Sequence, residues 1–150
     1  MVEEEVTAFV AAAQAGYERQ LTHFGGLTPD EARGKAAADC SRLFPDGRPA
    51  TGMHLFVAEV AGTPVGHLWL AEQAPGGLAE TAYIYDVEVR ETQRGRGYGR
   101  AIMDAAERQA ASFGATSLAL NVFGTNRVAR GLYESMGYQT MSVQMRKPLT

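Results

Sequence analysis

Tyr83-Ile84-Tyr85-Asp86-Val87-Glu88-Val89, with Arg94-Gly95-Arg96-Gly97-Tyr98-Gly99 just beyond it, is the stretch on which the reading of this chain turns. The first segment is aromatic and β-branched and predicts a strand. The second is a turn of arginines and glycines. Arg100, Ile102, Ala105, Ala106 and Phe113 carry the pattern on as a helix, which Gly114 stops. Glycines at alternate positions remove every second Cβ, so a ligand can come close to the backbone. The first amides of a helix have no intrahelical acceptor and lie at the positive end of its dipole. Such a strand–turn–helix is an anion site. Arg90, Arg94, Arg96 and Arg100 surround it with cations, so the expected ligand is a pyrophosphate or a similarly dense anion.

The spacing separates this turn from two other phosphate loops. A dinucleotide fingerprint reads Gly-x-Gly-x-x-Gly directly after its strand. Here the glycines read Gly-x-Gly-x-Gly and an arginine precedes them. A P-loop needs Gly-Lys-Ser/Thr at the helix start, and the turn has none. A plain strand-to-helix turn made soluble by its arginines is the bland alternative.

Two ordered motifs decide against it. Arg94-Gly95-Arg96-Gly97-Tyr98-Gly99 resembles the Gln/Arg-x-x-Gly-x-Gly/Ala signature of the GNAT superfamily of acyl-CoA N-acyltransferases. Residues 126–138, from Asn126 through Ala129, Leu132, Tyr133 and Gly137 to Tyr138, are similar to that family's Asn-x-x-Ala-x-x-Leu-Tyr-x-x-x-Gly-Phe/Tyr segment. The resemblance runs from about Leu55 to the C-terminus. Residues 1–50 share only a helical character with it.

Length and composition agree with one soluble domain spanning residues 1–150. Hydrophobic residues make up 45% and charged residues 21%. A net charge of −3 argues against a nucleic-acid binder that works by bulk charge. The single cysteine, Cys40, lies in a helical pattern and reads as a small core residue. No leader and no membrane-length apolar run is visible, which gives the expectation of a cytoplasmic protein. No histidine is spaced with cysteines or carboxylates as metal ligands would be, so no metal is expected.

Helical spacing of Val6, Phe9, Val10, Ala13, Tyr17 and Leu21 predicts a first helix over residues 3–22. Thr28 as cap, Pro29 at the first position and Glu31 completing a capping box start a second. Ala32, Ala36, Cys40, Leu43 and Phe44 form its apolar face. A hairpin over residues 55–60 and 65–71 follows. The strand over 83–89 leads into the anion turn. A half-buried strand over 116–122 should lie parallel to it. A short helix over 126–136 and a last strand over 138–147 complete the set. The fold class is α+β, with a mixed, mostly antiparallel central sheet flanked by helices. The resemblance implies that the strands on either side of the anion-site helix splay apart at the coenzyme site. It also marks a departure: the family's N-terminal edge strand is missing. That leaves an edge a second chain could cover, hence the expectation of a homodimer.

The resemblance assigns roles. Backbone amides of Arg94, Gly95, Arg96, Gly97, Tyr98, Gly99, Arg100 and Ala101 would hold the pyrophosphate of acetyl-CoA, the cosubstrate. Val87 and Val89 would pair with the pantetheine amides as an added strand does. Asn126 would hydrogen-bond the coenzyme arm, or serve as a plain helix cap, and the two roles are compatible. Tyr133 would protonate the departing thiolate; core filler is the alternative. Asp86 and Glu88 share one face by strand alternation, with Tyr83, Tyr85, Val87 and Val89 on the other. Either acid could take the amine's proton, with Asp86 preferred and Glu88 as partner. Both could instead face solvent or pair with arginines. An amide of Val87 or Glu88 could hold the oxyanion. His23 is expected to be exposed, and His54 and His67 to be structural.

The expected activity is N-acetyl transfer from acetyl-CoA to a primary amine in a ternary complex. The acceptor would be a small molecule or a peptide, with residues 1–50 forming its side of the site. Glu72 and Glu80, placed with the two acids near the cleft, would favour a cationic acceptor. A non-catalytic acyl-CoA-binding or sensing module is the alternative, and a nucleotide-binding fold using the same turn is a third reading.

Overall fold

The computed structural model describes residues 3–149. Two helices, α1 (Glu3–His23) and α2 (Pro29–Leu43), precede three strands, β1 (Met53–Val60), β2 (Thr63–Ala71) and β3 (Thr81–Val89). Then come α3 (Tyr98–Ser112), β4 (Ser117–Leu120) and α4 (Arg127–Ser135). Among the described residues the strands form one sheet in the order β1-β2-β3-β4. The first three are antiparallel, and β4 runs parallel to β3.

Local chemistry explains the boundaries. Three glutamates fill the first turn of α1, where the helix dipole favours them. Thr28 caps α2, its Oγ1 accepting from Glu31 N at 3.2 Å. Ala61 and Gly62 both take left-handed φ values, 51° and 81°. A two-residue hairpin turn needs that geometry to match the strand twist.

The sheet is covered on both faces. On one, Leu68, Leu70, Ala82 and Ile84 pack against Ile102, Met103, Ala106 and Ala110 of α3. Leu70 and Met103 are completely buried. On the other, Phe9 and Ala13 of α1 and Phe44 beyond α2 enclose Trp69. Tyr85 stacks on Trp69 with centroids 4.9 Å apart. Cys40 is buried in α2, as its helical position predicts.

Three expectations need correction. First, residues 138–149 carry no strand. No ladder forms beside the segment over 138–147, which the sequence predicts as the last strand. Second, β4 is shorter than residues 116–122, because pairing with β3 ends at Ile84↔Leu120. Third, β3 does not alternate strictly. Trp69 pairs with Asp86 and Leu70 with Ile84, which leaves Tyr85 without a partner. This bulge puts Tyr85 and Asp86 on the same face. Tyr83 and Tyr85 therefore lie on the side of the acids, with Trp69. Val87 and Val89 turn to the α3 side and join its core. A bulge re-aims side chains and strengthens local twist.

Candidate active site

The bulge and the early end of β4 together make the site. Thr81 to Ile84 of β3 pair with β4, and Tyr83 and Ile84 pair with β2 as well; from Asp86 to Val89 only β2 pairs with it. The two parallel strands therefore separate, as the sequence reading anticipates. A small cavity of about 90 Å³ opens in the fork. Asp86, Val87, Asn126 and Tyr133 all line it, as do Gln20 of α1 and Phe123.

Asp86 is not alone there. His67 Nε2 lies 2.7 Å from Asp86 Oδ2, and the two side chains are only 19% and 18% exposed. An ionised carboxylate can only accept, so the His67 ring donates. Phe9 of α1 packs edge-on against His67 at 4.9 Å and fixes the ring plane. A nearly buried charge needs such a partner. His67 is thus tied directly to Asp86 across the sheet. Its role depends on the β2–β3 register, which no local motif reports.

Glu88 lies on the same face but is engaged elsewhere. Its carboxylate is 3.9 Å from Arg19 of α1 and 3.6 Å from Arg94 of the turn. It does not line the cavity. Arg94 also donates from Nε to Val89 O at 3.0 Å, tying the turn to the end of β3.

Tyr133 projects from α4, whose start Asn126 caps by accepting from Ala129 N at 3.3 Å. The cap reading of Asn126 therefore holds, and the same side chain borders the cavity. Tyr133 packs edge-on with Tyr138 at 5.9 Å. Burial pushes its phenol pKa above the usual value, and the Asp86 charge adds to the effect. The phenol therefore keeps its proton across the neutral range and beyond.

The glycine turn sits at the far end of β3. Gly95 and Gly97 have φ of 78° and 82°, which residues with a Cβ rarely adopt. Gly97 caps α3 without any side-chain acceptor, and no acid lies in the first turn. The leading amides of α3 are thus left for an external anion. Gly99 packs closely, since a Cβ there would lie 3.3 Å from Leu132 Cδ2 of α4. Arg96 and Arg100 are exposed, and Arg100 donates to Ser135 Oγ at 2.6 Å. The arginines are therefore partly committed to holding the turn together.

Other candidates fall away from the cleft. His54 contacts Glu72 at 2.8 Å and stacks on Phe113 at 4.6 Å. Glu80 receives the Thr116 amide on its carbonyl at the start of β3. Neither Glu72 nor Glu80 borders the cavity, which corrects their placement beside it. His23 is exposed, as expected. Among the described residues no three His, Cys, Asp or Glu side chains cluster as metal ligands. Nor, among them, is any helix long and apolar enough to cross a membrane.

The forked parallel pair, with an uncapped helix at its mouth, defines an acyltransferase architecture, and comparison with known proteins agrees. The acetyltransferase (GNAT) family profile matches residues 11–138, so the chain belongs to that family of enzymes. It is 31% identical over 150 residues to the uncharacterized N-acetyltransferase YdgE of Bacillus subtilis, covering 99% of this chain and 95% of that one. The crystal structure of YycN from the same organism is 30% identical, with a TM-score of 0.90 over 100% of this chain and 96% of that one. The aminoglycoside N-acetyltransferase AAC(6')-Iy, in complex with CoA, shares the fold at 17% identity. Its TM-score is 0.56, over 88% of this chain and 94% of that one.

Proposed function

We propose that this enzyme transfers the acetyl group of acetyl-CoA to a primary amine by direct attack in a ternary complex. The observation that carries this reading is convergence. Asp86, Asn126 and Tyr133, from different elements, border one cavity in the fork of β3 and β4. The uncapped amides of α3 lie at the other end of the same strand.

The residues present fit the coenzyme. Amides from Arg94 to Ala101 would take the pyrophosphate, with Arg96 free to add charge. The unpaired edge of Val87 and Val89 would hold the pantetheine arm as an added strand, with Asn126 beside it. The AAC(6')-Iy complex indicates that this fold admits CoA. In the reaction the amine gives a proton to Asp86, whose carboxylate His67 orients. The amine nitrogen then attacks the thioester carbonyl, and the amide of Val87 or Glu88 steadies the oxyanion. As the C–S bond breaks, Tyr133 protonates the sulfur and recovers a proton from the new amide nitrogen. Glu88 supports Asp86 indirectly, by holding Arg94 and α1. The acceptor enters past α1, since Gln20 borders the cavity from that helix.

A panel of small and peptide amines, with free thiol released from acetyl-CoA as the signal, tests the proposal. Amine-dependent thiol release is expected. Tight acetyl-CoA binding with no release against any amine would instead indicate a binding or sensing module.

A further inference from the structure

Tyr133 has to put its hydroxyl where the departing sulfur will be, and nothing at the hydroxyl itself holds it there. Among the described residues no group hydrogen-bonds to it. Its aim therefore comes from its backbone and from what touches its ring. Precision matters, because a misplacement of about 1 Å at a reacting group can cost about a hundredfold in rate.

The backbone part is local. Gly137 follows α4 with a left-handed φ of 95°. Gly137 N donates to Glu134 O at 3.1 Å, and Tyr138 N donates to Tyr133 O at 3.0 Å. A helix closed in this way brings together the side chains of the residues that its outer hydrogen bond joins. Here those residues are Tyr133 and Tyr138. Their rings meet edge to face, with centroids 5.9 Å apart and planes at 63°.

Tyr138 is in turn fixed to α3. Its hydroxyl donates to Glu107 Oε1 at 3.0 Å. Burial first, and then this bond, pushes its pKa above the usual phenol value, so the hydroxyl stays a donor through the neutral range. Two further ties hold α4 on the same helix. Arg100 donates to Ser135 Oγ at 2.6 Å, and Leu132 packs over Gly99. Gly99, Arg100 and Glu107 span about two turns of α3. One rigid helix thus offers its first amides to an anion and carries, along its side, the helix that bears Tyr133. Tyr138 does not border the cavity in the fork, so any effect it has on the chemistry passes through its neighbour.

We propose that Tyr138, anchored by Glu107, is a positioning residue that holds the Tyr133 ring in register with a coenzyme bound at the start of α3. The proposal rests on the acetyl-transfer reading, in which Tyr133 is the acid.

A double-mutant cycle on the full chain tests it, with acetyl-CoA and an amine that the panel shows to be acetylated. Tyr138→Phe removes one oxygen and keeps the ring contact. It should lower kcat by about fivefold and leave KM for acetyl-CoA unchanged. Placed on Tyr133→Phe, the same change should cost almost nothing further, since coupled residues are not additive. Glu107→Gln keeps an acceptor and should retain kcat, whereas Glu107→Leu should be as slow as Tyr138→Phe. Wild-type kcat in Tyr138→Phe overturns the proposal. So does a loss of the same factor with and without the Tyr133 hydroxyl, as a merely structural hydrogen bond would give, or a Glu107→Gln variant as slow as Glu107→Leu. Tyr133→Phe by itself tests the reading beneath. Full activity there removes the acid, and the proposal with it; a slow Tyr133→Phe beside a wild-type Tyr138→Phe removes the proposal alone.

Discussion

The two halves of β3 differ in almost every respect. Over Thr81–Ile84 the strand is paired with β4, at Tyr83 and Ile84 with β2 as well, and Ala82 and Ile84 are buried under α3. From Asp86 to Val89 one edge is open, and the α1-facing side chains are acids held by His67, Arg19 and Arg94. The switch occurs at one unpaired residue, Tyr85. The first half is fixed under α3; the second leaves one backbone edge open beside its paired charges. A site built this way gains precision because its open half continues a strand that the core already fixes.

Substitutions should therefore separate activity from stability along this one strand. The largest effect on turnover is expected for Asp86→Asn. Loss of a general base lowers kcat by about a hundredfold or more, with little change in melting temperature. Glu88→Gln, two residues away, should chiefly raise KM for acetyl-CoA by loosening Arg94. Equal kcat losses in the two variants would erase the distinction. Tyr133→Phe should cut kcat by about tenfold or more while acetyl-CoA affinity hardly moves, as rapid-quench and calorimetric measurements would report.

On the closed half the cost appears in stability. Met103 is wholly buried against Leu70 and Ile84, so Met103→Ala should cost about 2–5 kcal/mol in chemical denaturation. Beside the open half, at the β2 edge that stays paired, Gly66→Ala should also destabilise, since a Cβ there would collide with Glu88 O of β3. A smaller effect separates the halves by pH. Tyr17, Tyr83, Tyr85, Tyr133 and Tyr138 all have phenol pKa values raised first by burial. Such a phenol binds its proton more tightly when folded, so its contribution is complete below about pH 10 and lost as pH climbs above it. Melting temperature should begin to fall near about pH 10 and go on falling above it, and Tyr83→Phe should blunt the fall.

The same comparison shows what the sequence discloses. The glycine turn, the Asn126–Tyr138 segment, the Thr28 cap and the helix faces are legible because each is a local pattern with a local cause. The fork is legible through family resemblance and through the strand–helix–strand order. The bulge at Tyr85 is not, because strict alternation is the default reading of any strand and an unpaired residue shows only against a partner. The His67–Asp86 pair is hidden for a related reason: it joins residues 19 apart through strand register. Residues 138–147 pair with no strand among the described residues, although the sequence predicts one there, so pattern and pairing part company.

The central claim is that the open half of β3 and the first turn of α3 receive the coenzyme as one continuous surface. Amide-resolved NMR titration with CoA tests it most directly. The account predicts saturable shifts at Val87, Val89, Gly97, Gly99 and Arg100, with α2 and β1 unmoved. Shifts absent from the Gly97–Arg100 amides at saturating CoA would contradict it.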